Sequence, residues 1–91
     1  MNNTSIATNA ELFDVMLRML NDCLEIVKDD FENKGVVRMI LGNLYATAMD
    51  FENALEQHLL AKQQFIIANS RNVDTVNLAI THIQNVLSGT E

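Results

Sequence analysis

Phe13, Leu17, Leu20, Leu24, Val27 and Phe31 recur at alternating steps of four and three residues, the interval at which an α-helix returns side chains to one face. A half-buried strand would instead alternate apolar and polar residues, and such alternation never extends past four residues anywhere in the chain. The 91 residues also contain no proline that would break a helix. An all-α fold follows, and the remaining question is where the helices begin and end.

Thr8-Asn9-Ala10-Glu11 fits the capping box that satisfies the first free amides of a helix. Residues 1–8 before it are polar, small and without periodicity, so they are expected to form a flexible N-terminal segment. The seam predicts a first helix from this cap to about Asn33, with Lys34 as a terminal cation and Gly35 as a left-handed stop. Val36 to Ala48 is apolar almost all round, with Arg38, Asn43 and Thr47 as its polar side chains, which predicts a second, interior helix. Asp50 can cap a third helix whose inner sector holds Phe51, Ala54, Leu55, His58, Leu59, Ala61, Phe65 and Ile66. After a turn at Asn69-Ser70-Arg71-Asn72, the residues Val73, Val76, Ile80, Ile83 and Leu87 predict a fourth helix closed by Ser88-Gly89. The expected domain is a compact bundle of about four helices over residues 9–89, with 90–91 as a tail.

Hydrophobic residues make up 48% of the chain, so it can fold, and its small size leaves room for one core only. Twelve acidic against six basic residues give a net charge of −6, which repels nucleic-acid phosphates and anionic lipid, so neither a nucleic-acid nor a membrane partner is expected. The longest nearly continuous apolar run, Val36 to Met49, is interrupted by Arg38 and Asn43 and falls short of the ~20 residues that span a bilayer. The single Cys23 permits no internal disulfide and no thiolate zinc site. The first residues lack the basic flank and apolar stretch of a signal peptide. Together these features predict a cytoplasmic protein, and the small, asparagine-rich chain suits a bacterial or phage source.

Leu41-Gly42-Asn43-Leu44-Tyr45, Asp50-Phe51-Glu52-Asn53-Ala54-Leu55 and Ala61-Lys62 together resemble one tetratricopeptide repeat over residues 35–68. In that family a Leu-Gly pair, a Tyr three residues on, an Ala twelve after the Gly and another Ala seven further mark two antiparallel helices in close contact. Gly42, Tyr45, Ala54 and Ala61 keep those spacings, and Asp50 and Phe51 fit the hairpin turn. His58 replaces a customary aromatic, and Arg38 stands where Trp is common. The resemblance implies a tight central hairpin packed through Gly42, Tyr45, Phe51, Ala54 and Ala61, and a protein-binding role. A shift of 34 residues finds no second copy, and a lone repeat cannot stack into a binding groove.

Chemistry-bearing residues are sparse. Neither His58 nor His82 has an Asp or Glu placed three or four residues away on the same face in the pattern of carboxylate-bridged metal bundles, so no metal and no other cofactor is expected. A mid-helix histidine on a small acidic four-helix bundle resembles a histidine phosphotransfer domain, which makes His58 an alternative phosphoacceptor. The lysine that family places after its histidine comes one position late here, at Lys62, and its glycine is missing. Cys23 lies in the apolar sector of the first helix with no activating neighbour within a turn, so it reads as a packed thiol. Asp29, Asp30 and Glu32 form an acidic knot at the expected end of the first helix, where the helix dipole disfavours negative charge.

Thirteen of the 24 residues from Ala10 to Asn33 are apolar, more than one neighbouring helix covers. Leu12, Met16, Met19, Cys23 and Ile26 flank the seam. The chain therefore reads as a non-enzymatic protein-interaction module, an adaptor, chaperone or regulator, in a homodimer or hetero-complex. Phe13, Met16, Leu17, Leu20, Leu24 and Val27 are its expected interface residues.

Overall fold

The structure is a computed structural model that describes residues 8–89. Within them the chain forms four helices, α1 (Asn9–Ile26), α2 (Phe31–Thr47), α3 (Phe51–Ile67) and α4 (Asn72–Ser88), and no strands. The fold is the all-α bundle expected from the sequence. Of the expected terminal segments, residues 1–7 and 90–91 lie outside the described residues, whereas Thr8 is the N-cap of α1.

Side-chain caps fix three of the four starts. Thr8 Oγ1 accepts from the Glu11 amide at 3.1 Å, and the Thr8 amide donates back to Glu11 Oε1 at 2.7 Å, so two free amides are satisfied reciprocally. Those bonds hold the Glu11 carboxyl below its ordinary pKa. Asp30 and Asp50 cap α2 and α3 in the same way: each carboxylate accepts from the amide three residues on and from the side-chain amide of that same asparagine, Asn33 or Asn53. The two caps share one tetrapeptide, Asp-Phe-Glu-Asn, at residues 30–33 and 50–53. At the start of α4, Ser70 Oγ accepts from the Asn72 amide, and Asn72 Nδ2 donates to Glu32 Oε2 at 2.7 Å, which ties the first turns of α4 and α2 together.

This arrangement corrects the first boundary. α1 stops at Ile26, and Gly35 lies inside α2 and not at a helix end. The acidic knot changes sign of effect accordingly. Asp30 and Glu32 sit at the positive end of α2, where the dipole favours them. α2 and α3 both end with a left-handed residue, Met49 (φ 63°) and Asn69 (φ 55°), followed by a bond from the next amide back across the last turn, Asp50 N to Tyr45 O and Ser70 N to Phe65 O. Asparagine tolerates that conformation, whereas methionine is strained in it. Gly89 (φ 78°) ends α4.

Substantial packing joins only neighbours in the chain, α1 with α2, α2 with α3 and α3 with α4. The closest of these is the α2–α3 hairpin. Gly35 and Gly42 are two turns apart on α2, and Phe65 and His58 are two turns apart on α3, so antiparallel pairing sets a ring against each glycine. A Cβ on Gly35 would lie 2.5 Å from Phe65 Cε1, and one on Gly42 would lie 2.6 Å from His58 Nε2. Ala54 and Ala61 are fully buried on α3. Arg38 Nη1 donates to Gln57 Oε1 at 3.0 Å beside the same contact. The core is then Ala61, Phe65, Val76 and Ile80, lined by Val36, Met39, Leu55 and Val73 from α2, α3 and α4. Leu59 and Ile66, placed in the inner sector of the third helix by spacing alone, are exposed because α3 has close neighbours on two sides only, and Leu87 in the last turn of α4 is exposed as well.

Two stability changes follow. Gly35→Ala gains about 1 kcal/mol of helix propensity but drives a methyl into the buried Phe65 ring, an overpacking that costs about 1–3 kcal/mol. Urea midpoints should show a net loss of about 1 kcal/mol, reduced when Phe65→Leu is combined with it. Met49→Asn relieves the left-handed strain and should raise stability by about 0.5–1 kcal/mol in the same measurement.

Candidate interaction face on the first helix

α1 contains no buried residue. Its apolar arc divides into two strips roughly a quarter-turn apart, because residues advance by 100° each along the helix. The first strip holds Phe13, Leu17, Leu20, Leu24 and Val27, all half-buried. Phe13 fixes its direction, since its ring meets Tyr45 of α2 edge to face with centroids 5.7 Å apart and planes at 64°. The second strip holds Leu12, Val15, Met16, Met19 and Ile26, exposed by 48%, 41%, 46%, 61% and 81%, with Cys23 half-buried among them. α2 is the only helix packed substantially on α1, and it covers one strip.

Five of the six interface residues expected from the sequence, Phe13, Leu17, Leu20, Leu24 and Val27, therefore lie on the side turned to α2. Met16 alone belongs to the exposed strip. The seam of fours and threes marks the internal contact, and the residues flanking it mark the free surface. Next to that strip an open cleft of about 590 Å³ separates the start of α1 from the end of α2, with Leu12, Phe13, Met16, Leu44, Thr47 and Ala48 among its walls. Tyr45 and Phe51, expected to pack the hairpin, are half-buried, and Tyr45 serves as the bridge to α1; Gly42, Ala54 and Ala61 are buried in the hairpin.

The remaining chemistry-bearing side chains stand apart. His58 is 1% exposed, packed at Gly42, and its Nδ1 has no hydrogen-bond partner. The accessible mid-helix histidine that a phosphoacceptor requires is thus replaced by a sealed ring. Burial holds His58 below the ordinary histidine pKa by desolvation. Cys23 is a half-buried free thiol on α1. Among the described residues no three of His, Cys, Asp and Glu gather as metal ligands do, and no helix is long and apolar enough to cross a membrane. Comparison with family models, with curated proteins and with solved structures finds no match to this chain.

The buried imidazole makes stability depend on pH. The unfolded chain takes up a proton near the ordinary value of about 6.5, whereas the folded chain takes it up only at lower pH. Below about 6.5 the unfolded state therefore binds more protons, and stability falls as pH drops through the folded value. His58→Leu, of similar size and with no unpaired nitrogen, should flatten this dependence between pH 7.5 and 5.5 in urea titrations while leaving stability at pH 7.5 equal or higher.

Proposed function

We propose that the chain is a non-enzymatic protein-interaction module whose contact surface is the outer strip of α1. The observation that supports this reading is an 18-residue amphipathic helix that buries nothing fully while five of its large apolar side chains face solvent along one line. Exposed apolar surface concentrated in this way is unfavourable in an isolated monomer and marks a docking face. Lipid is the poorer occupant, because Asp14, Asp22 and Glu25 accompany the strip and the chain carries a net charge of −6, whereas interfacial helices are rich in Lys and Arg. The α2–α3 hairpin, read as tetratricopeptide-like, is the scaffold that presents α1. As a single hairpin it does not form the stacked groove of a repeat array.

Placing a photo-crosslinking amino acid at Met16 tests the reading in cells of the native host. A discrete protein adduct is expected there and none from the same probe at Thr81, on the exposed side of α4. Equal labelling at both sites, or no protein adduct at Met16, would refute it.

A further inference from the structure

The two ends of the helical array differ in a way that points to what covers α1. α4 packs substantially on one neighbour, buries Val76, Ile80 and Ile83 against the rest of the chain, and turns Asp74, Thr75, Thr81, His82 and Gln84 outward, with Leu78 in mid-helix and Leu87 in the last turn as separate apolar exceptions. It closes its end of the array as a polar terminal helix does. α1 also has one neighbour but turns a continuous apolar strip outward. An array closed at one end and open at the other is completed by a copy of itself joined open end to open end, which leaves the two α4 helices outermost.

From this we infer that the outer strip of α1 pairs with the same strip of a second copy, antiparallel, about a two-fold axis at Met19; the inference rests on the interaction-module reading above. Leu12 and Ile26 each lie seven residues, two turns, from Met19. The axis therefore sets Ile26 of one copy over Leu12 of the other, beside the cleft between the start of α1 and the end of α2. Ile26, at 81% exposure, is the most exposed large apolar side chain described and is poised to fill that space. The same register brings Arg18, which sits beside the strip, within one turn of Asp22 on the opposite copy, so the axis generates two such pairs. In a parallel arrangement the two-fold would carry this flank of the two copies to opposite sides of the seam, and neither Arg18–Asp22 pair would form. Covering the five exposed side chains on both copies removes on the order of 1,000 Å² of surface, the lower bound for a specific interface.

Light scattering of the purified full chain at about 100 μM should give twice the 10.2 kDa chain mass. Ile26→Glu should shift the species to monomer with unchanged helicity by circular dichroism, since that side chain takes no part in the core. Leu78→Glu, equally exposed on α4, should leave the dimer intact. Met19→Cys combined with Cys23→Ser should oxidise to a cross-linked dimer, whereas Leu78→Cys in the same background should not. A monomeric wild type, or a dimer indifferent to Ile26→Glu, overturns the pairing. A monomer whose Met16 probe still captures a different protein overturns the pairing alone and leaves the module reading standing; absence of any adduct at Met16 removes both.

Discussion

The contact of two glycines with two rings sets the position of everything else in this protein. Gly35 and Gly42 remove the side chains that would hold α2 away from α3, and Phe65 and His58 occupy the space so made. Each glycine lowers helix propensity by about 1 kcal/mol relative to alanine, and the return is burial of two large planar side chains at 0% and 1% exposure. Phe65 then has its opposite side free for Val76 and Ile80, so the same ring that seals the hairpin also anchors α4. With its glycine face committed to α3, α2 meets α1 through Tyr45 on another side. The linear order of packing, α1 on α2 on α3 on α4, follows from these choices of face.

Histidine at position 58 is an unusual filler for such a notch. A phenyl ring would fill it without a polar atom, whereas the imidazole brings Nδ1 into a place with no acceptor or donor, at a cost of about 1–3 kcal/mol for an unsatisfied buried group. The ring is tolerated because it is neutral: desolvation disfavours the charged form, and no carboxylate is within hydrogen-bonding reach to rescue it. The pH sensitivity thus belongs to the scaffold itself, at the contact on which the hairpin depends.

Helix ends that carry their own chemistry were readable from the chain. The reciprocal Thr8–Glu11 box, the Asp50 cap and the left-handed Gly89 each have a local cause, and the structure places them where the residues imply. The break between α1 and α2 falls earlier than the Asn33–Gly35 stop expected from the sequence, because the spacing of fours and threes runs on through Val27 and Phe31 without a change of phase. Its signal was present in the repeated Asp-Phe-Glu-Asn at 30–33 and 50–53, which assigns Asp30 the role that Asp50 plainly has. Gly35 misled for a related reason: glycine ends helices and also admits close neighbours, and only the ring facing it decides which. Of the expected interface residues, five lie on the side of α1 turned to α2 and Met16 lies on the exposed strip. Periodicity locates the strip that packs, and an interior contact and an exterior one produce the same pattern.

The stability of α1 and the occupancy of its outer strip are linked. A helix in a protein draws most of its stability from packing of its amphipathic face, and α1 is held by one capping box and by half-buried contacts along a single side. No α1 residue enters the cluster formed by α2, α3 and α4, so fraying of α1 leaves that core intact. A ligand on the outer strip binds only the folded helix, and its binding free energy adds to the stability of α1 in proportion to its concentration over Kd. The buried cluster thus belongs to α2, α3 and α4, and α1 adds to it through half-buried contacts alone. Under the proposed docking, the helix with the greatest apolar exposure is therefore the one whose stability a partner would raise most.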